Sequence, residues 1–381
     1  MKRIGIIGAG IIGTSIAYHL SQNEDVEVRV FEKNQIGSGT TAKSAGTLCL
    51  LDDSLPYEFF EQRVNCLKTY KKMNQDTDGE SGFMQSGTLV VSLNNKDLKR
   101  AKMHVEASEK HGYNAKLIED PEGLKKYLPD LNPEGLIGGA WTPDDGYNNP
   151  TAASIIYARW AREKGAKILT QANVNKILTK NGAVQGIETS KGDYELDLLI
   201  CAAGPWSNKI GEMVGLELPL VHTKAEVFIL KTDPPLSYKF PILKYPNWYA
   251  RPEGRAIFVC KSHMAMDYDN PIETGVWDPD KLSLSGGTEE YFFDFITERL
   301  SESLPKLIDA QLVNDWLGYR SVTQDKLPIV GESGVEGLLL AVGMSGNGVI
   351  LAPDIGRILT NYIIKDKWDT LLEKFNPSRF K

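Results

Sequence analysis

The first thirty-two residues constrain this chain more than any other stretch. MKRIGIIGAGIIGTSIAYHLSQNEDVEVRVFE reads as a strand, a tight glycine turn, a helix, a second strand and an acid. Lys2 to Ile7 is a short apolar strand. Ile11 to Leu20 continues as a helix, and Val26 to Phe31 is a second strand ending at Glu32. Gly8, Gly10 and Gly13 fill the pattern G-x-G-x-x-G. Gly8 permits the sharp turn, Gly10 lets the backbone approach a pyrophosphate, and Gly13 lets the helix lie close to the strand. The helix N-terminus offers free N–H groups and a positive dipole end to phosphates. Glu32 follows Gly13 by nineteen positions, near the spacing of a carboxylate that bonds a ribose hydroxyl. That acid would repel a 2′-phosphate, which disfavours NADP. FAD and NAD both fit the motif.

Glycine is common here, at 35 of 381 residues, so the glycine pattern counts only because strand, helix and acid surround it. The length suggests two or three domains. With 41% apolar and 24% charged residues, the composition is that of an ordinary globular chain. The net charge of −7 and the absence of a basic cluster argue against nucleic acid as a partner. Cys49, Cys66, Cys201 and Cys260 show no C-x-x-C spacing, so they read as separate core thiols in a reducing compartment. The residue types suggest no metal site. Lys2 and Arg3 before an apolar stretch mimic a signal peptide, but the glycine fingerprint occupies that stretch. No apolar run approaches the ~18 residues of a membrane span. A cytoplasmic protein is expected.

After Glu32, residues 37 to 47 are almost all small, as suits a backbone wrapping closely around a ligand. Residues 54 to 76 read as an amphipathic helix with Tyr57, Phe60, Val64, Leu67 and Tyr70 on one face. Phe83 to Leu93 reads as a strand broken at Gly87, and residues 95 to 111 as an exposed helix carrying His104 and His111 on its solvated surface. Residues 121 to 150 are rich in turn formers and read as a connection between domains. Asn149 and Pro150 form an N-cap and first-turn proline for a helix over Thr151 to Lys164. Asn181-Gly182 and Lys191-Gly192 signal hairpins. ELDLLICAA reads as a strand buried on both faces. Residues 218 to 320 suggest a mostly antiparallel region, including a β-rich segment near Trp277, then a helix over 288 to 309. The strand GLLLAVG, the loop GMSGNG and the helix VILAPDIGRILTNYII close the chain. His19, on the first helix, reads as structural.

The fingerprint GAGIIG with Glu32, the segment GSGTTAKSAG, CAAGPWS, GYRSVTQDKLPIVG and GMSGNGVILAPDIG occur in an order that resembles the FAD-dependent D-amino acid oxidase-like family. That family includes glycine oxidase, sarcosine oxidase and the FAD subunit of L-proline dehydrogenase. The resemblance spans almost the whole chain and favours FAD over NAD. It implies an α/β fold: a Rossmann-like FAD-binding domain over residues 1–80, 150–217 and 322–381. A discontinuous antiparallel-sheet substrate domain, α+β in character, would take residues 81–149 and 218–321.

The same resemblance implies cofactor contacts along the chain. They fall on Gly8, Gly10, Ile11, Ile12 and Gly13 at the first turn, and on Glu32 and Lys33 after the second strand. Gly39, Thr40, Thr41, Ser44, Ala45, Gly46 and Thr47 follow in the small-residue loop. Val174 would sit by the adenine, with Ala203, Gly204 and Trp206 after the buried strand. Gly343, Gly346, Asn347, Gly348, Val349 and Ile350 complete the set, the last helix turning its dipole toward the flavin.

The implied chemistry is hydride removal from a carbon bearing an amine, with FAD as acceptor. Arg320 matches the position where relatives hold the substrate carboxylate, and a guanidinium fork suits that group. Tyr249, in Y-x-x-P, would reach the substrate, with Trp248 on the opposite strand face. His263 follows the next strand, where a variable residue lies over the flavin. The chain also departs from its relatives. Met344 and Asn347 stand where many carry histidine, and Ser321 where D-amino acid oxidases commonly have proline. Gly318 occupies the flavin-attaching cysteine position of monomeric sarcosine oxidases; none of the four cysteines is near it, and no histidine lies between residues 20 and 103. FAD is therefore expected to be non-covalent.

The expected substrate is a small amino acid or N-methyl amino acid of the proline, sarcosine or glycine class. Two alternatives stay open. One is a 2-hydroxy acid or glycerol-phosphate dehydrogenase; the other is an FAD subunit active only in a hetero-oligomer. The electron acceptor and the assembly, homo- or hetero-oligomeric, are not readable from these residues.

Overall fold

The computed structural model describes residues 1–52, 54–261, 288 and 290–380. His263 and the segment near Trp277 lie outside the described residues. Strand β1 (Lys2–Ile7), helix α1 (Ile11–Leu20) and strand β2 (Val26–Phe31) form where the sequence pattern puts them. The later helices are α2 (Phe60–Asp76), α3 (Asn95–Lys110), α4 (Pro150–Glu163), α5 (Ser207–Glu212), α6 (Glu290–Ser303), α7 (Gly348–Lys365) and α8 (Thr370–Phe375).

The chain is a mixed α/β protein built on two large sheets. The first has six strands in the order Ile329–Glu332, Leu338–Val342, Leu198–Cys201, β1, β2 and Lys167–Leu169. Its pairings are parallel, except that Ile329–Glu332 runs antiparallel to its neighbour. Because strand side chains alternate faces, each strand serves two cores. Ile4, Ile6 and Ile200 pack with apolar residues of α1, α2, α4 and α7. Ile7, Leu199 and Cys201 pack instead with Ile177 and Ile187 of a three-stranded antiparallel sheet. Ser15 of α1 donates to the Ala352 carbonyl of α7 at 2.6 Å, and Gly356 lies against Ser15, so those two helices cross closely.

The second sheet has eight strands: Gln311–Val322, Val221–Lys231, Ala256–Lys261, Trp248–Glu253, Ile242–Lys244, Thr88–Ser92, Gly138–Thr142 and Lys116–Ile118. All its pairings are antiparallel except Ile242–Lys244 with Thr88–Ser92. One face packs on α6: Leu243, Trp248 and Val259 meet Phe292, Ile296 and Leu300. The other face carries one register row running Leu117, Ala140, Val90, Lys244, Tyr249, Cys260, Val227 and Trp316. α3 covers the first part of that row through Ala101 and Val105.

Several expectations need correction. The helix expected from residue 54 begins at Phe60, after extended Pro56 and a short 3-10 turn over Tyr57–Phe59. Tyr57 is exposed, while Phe60, Val64, Leu67 and Tyr70 are buried as the periodicity requires. His104 is buried, not solvated: its ring stacks on Tyr57 at 5.9 Å. Burial, followed by the charge of Arg63, lowers it to about 3, so it is neutral. His111 is partly covered and contacts Glu61 at 2.8 Å. Residues 121 to 150 are not a plain connection, since Gly138–Thr142 is an inner strand of the second sheet. ELDLLICAA shortens to Leu198–Cys201, because Gly192–Glu195 pairs within a hairpin. The α4 cap is as expected: the Asn149 side chain accepts from the Thr151 and Ala152 N–H groups, both at 3.1 Å.

No helix among the described residues is long and apolar enough to cross a membrane.

Candidate active site

A cleft of about 530 Å³ runs from the end of β2 to the row-bearing face of the second sheet. Its first end is built mainly from backbone. Gly8 turns with φ +102°, a conformation that other residues rarely hold. Gly13 does not reach the cleft wall, a correction to its expected contact role. A Cβ there would fall on the Gly8 carbonyl oxygen, so Gly13 acts by letting α1 rise directly behind the turn.

The Glu32 carboxylate is fixed by two backbone donors, the Ala9 and Asn34 N–H groups, each at 2.8 Å. An ionised carboxylate has about four acceptor sites, so capacity remains for a hydroxyl. Lys33 lies 4.0 Å above the Trp206 ring, and both line the cleft. The small-residue loop closes over the first helix. The Thr41 hydroxyl accepts from the Ile11 N–H at 3.1 Å, and the Gly37 N–H donates to the Ala9 carbonyl at 2.9 Å.

Every other residue expected at the cofactor lines this cleft. Gly39 and Thr40, with the run Ser44, Ala45, Gly46 and Thr47, form one wall. Val174 stands at the Glu32 end, and Ala203 and Gly204 follow the buried strand. Gly343, Gly346, Asn347, Gly348, Val349 and Ile350 bring the N-terminal turn of α7 to the wall. The four leading N–H groups of a helix lack partners within it, so this turn presents donors to the cleft. Asn347 is buried; its amide nitrogen donates to the Ser54 carbonyl at 3.0 Å, while its side-chain oxygen has no partner. A glycine turn free of side chains, a fixed acid, two helix N-termini and an unsatisfied buried amide oxygen together fit a long dinucleotide.

The far end is built from side chains on strands that are distant in sequence. Arg320 projects from Gln311–Val322 and Tyr249 from Trp248–Glu253, and both line the cleft. Trp248, on the other strand face, is fully buried, as alternation requires. Burial pushes the Tyr249 phenol well up, against the opposing pull of Arg320, so Tyr249 stays a protonated donor.

Cys260 also lines the cleft, as does Gly318, which corrects the expectation that no cysteine is near that position. Strand pairing is the reason: Cys260 and Gly318 face neighbouring positions of Val221–Lys231. Burial pushes the Cys260 thiol up, with Arg320 pulling it down, so it is neutral and a poor nucleophile.

Sequence reasoning missed a buried ion pair between Lys244 and Asp52, both on the cleft wall. Burial opposes the charge on each, but the partner wins: Asp52 is held at about 2 and the Lys244 ammonium is raised. The available signal was one lysine inside the apolar run FPILKYPNWY. Nothing local in LLDDS marked Asp52 as its partner. Among the described residues, no group of three or more His, Cys, Asp or Glu side chains is placed to hold a metal ion.

Comparison with known proteins agrees with this geometry. The family model described as FAD dependent oxidoreductase, DAO, matches residues 3–362. Human mitochondrial dimethylglycine dehydrogenase is 27% identical over 98% of this chain, which spans 44% of that relative's length. The L-proline dehydrogenase from P. horikoshii superposes with a TM-score of 0.80 at 26% identity, covering 100% of this chain and 97% of that one. The glycine oxidase of Geobacillus kaustophilus superposes with a TM-score of 0.80 at 21% identity, covering 100% and 99%, and shares the fold. Its turn, its acid and its full-length match make this chain a member of the DAO family of FAD-dependent oxidoreductases.

Proposed function

We propose that this protein oxidises the C–N bond of a small amino acid or N-methyl amino acid of the proline, sarcosine or glycine class. FAD, when bound, supplies the hydride acceptor at flavin N5. The observation that carries the reading is Arg320, a guanidinium on the cleft wall close enough to Tyr249 to act on its phenol. Its planar fork takes a substrate carboxylate bidentately and so orients the α-carbon. Tyr249, kept protonated by burial, donates to the same substrate.

Glu32 would hold the ribose, the Gly8 turn and α1 the pyrophosphate, and the α7 N-terminus the electron-rich edge of the flavin. We take the cofactor as non-covalent, because the buried Cys260 thiol is neutral. Residues 1–80, 150–217 and 322–381 would form the FAD unit, and 81–149 with 218–321 the substrate unit, following the two large sheets. The substrate class named for two relatives, dimethylglycine and L-proline, supports an amine donor over a hydroxy acid.

An anaerobic substrate panel tests the reading. The purified holoprotein should lose its visible flavin absorbance on addition of L-proline, sarcosine or glycine. Bleaching only by 2-hydroxy acids or glycerol phosphate would overturn it. Bleaching that waits for an added partner subunit would assign activity to a hetero-oligomer.

A further inference from the structure

The row of residues that floors the far end of the cleft does not stop with the cleft. It continues through Lys244 to Val90 and Ala140, beneath α3. There a second cavity of about 50 Å³ opens on the same sheet face, lined partly by Val90, Ala101, Ala140 and His104. A volume of that order admits a few water-sized groups. Asp52, Ser54, Lys244 and Tyr249 line both cavities, so they form the partition between them.

The partition is stiff for a physical reason. Lys244 and Asp52 are ion-paired, and their side chains are only 16% and 7% exposed. Asp52 also accepts from the Ser54 N–H at 2.7 Å, which fixes the carboxylate. The Lys244 ammonium lies 5.8 Å from the Tyr249 ring centroid, against the side chain that the substrate is expected to touch. Separating a buried pair leaves two uncompensated charges, so the wall does not yield to a methylene.

We infer that the Lys244–Asp52 pair is the specificity wall of the substrate chamber. It limits how far an alkyl group can extend from a carboxylate seated on Arg320, and the cavity beneath α3 is the space it denies. The chemical class that the wall excludes is amino acids with linear side chains or N-alkyl groups longer than the chamber. This inference rests on the carboxylate-binding reading of Arg320 given above.

Binding of straight-chain carboxylates of increasing length to the oxidised holoenzyme, followed by flavin absorbance changes, tests it without turnover. Each methylene should tighten binding about fourfold, in line with ~0.8 kcal/mol per buried CH₂. Affinity should then break by tenfold or more at one further carbon. In the double variant Asp52→Ser/Lys244→Ala, which removes both charges and opens the wall, the break should move outward by at least two carbons. In Asp52→Asn/Lys244→Met, which removes the charges but keeps the bulk, it should stay in place. A smooth series in the wild type, an unmoved break in the first variant, or equal movement in both would overturn the inference. Should the first variant not hold flavin, the wild-type series decides: an abrupt break supports the wall and a smooth one overturns it. Failure of the amine substrates to bleach the flavin would strike the functional reading alone, because the carboxylate series needs no turnover.

Discussion

The two ends of the cleft are made differently. The Gly8 end is backbone: a left-handed turn, helix N–H groups and an acid held by two main-chain donors. The turn, the helix, the acid and both of its donors come from the first 34 residues. The Arg320 end is side chains, delivered by five strands spread from Val221 to Val322 and by Asp52 from far upstream. Backbone recognition fixes a cofactor with little freedom to vary. Side-chain recognition can change one residue at a time, which suits a fold that serves many substrates.

The largest effect should come from breaking the backbone end. Gly13→Val would drive a branched side chain into the Gly8 carbonyl and push α1 away from the turn. Overpacking typically costs ~1–3 kcal/mol, and here the obstacle is a backbone oxygen rather than a flexible side chain. The variant should therefore purify without visible flavin absorbance, and near-normal FAD retention would break the contrast. Lys244→Met comes next, because it strands the Asp52 carboxylate in a buried site. Urea unfolding should show a loss of roughly 3–5 kcal/mol.

The same pair sets a pH dependence. Asp52 is held at about 2, below its unfolded value, so its stabilisation is present above the ordinary aspartate range. It is lost as pH falls from about 4 through about 2, an effect of ~2–3 kcal/mol. Asp52→Asn should flatten the stability curve in that window, and an unchanged slope would show that the pair does not ionise as described.

Arg320→Met should lower kcat/KM for carboxylate substrates by about 10²–10³, the cost of losing a charge-assisted fork. FAD affinity should stay within about threefold of wild type. Arg320→Lys should recover only part of the loss, since an ammonium lacks the fork. The smallest effect belongs to Glu32→Gln, which keeps one carbonyl acceptor. FAD binding should weaken about tenfold by titration, in line with the ~1.5 kcal/mol of a charged hydrogen bond, with substrate KM unchanged. A change in KM there would show that the two ends are coupled.

The two ends differed in legibility for the same reason. Gly8, Gly10 and Glu32 announced themselves because they belong to one short strand–turn–helix–strand unit, in which sequence spacing fixes where each residue lands. The Asn149 cap and the Asn181-Gly182 turn were equally readable, since caps and turns are local; both turn residues take positive φ. His104 misled because helix periodicity says nothing of a Tyr57 ring arriving from another segment. Residues 121 to 150 misled because their turn formers hide a short strand whose partners lie elsewhere.

Arg320 and Tyr249 became candidates only through the family resemblance. The order of elements and the dinucleotide turn followed from residue types and short spacings. Those depend on φ, ψ and side-chain periodicity, which act over a few residues. The Lys244–Asp52 pair, the presence of Cys260 on the cleft wall and the cavity beneath α3 did not. They exist because strand register aligns Lys244, Tyr249 and Cys260 across the sheet. Register is set by the packing of both sheet faces together, a condition no single segment carries.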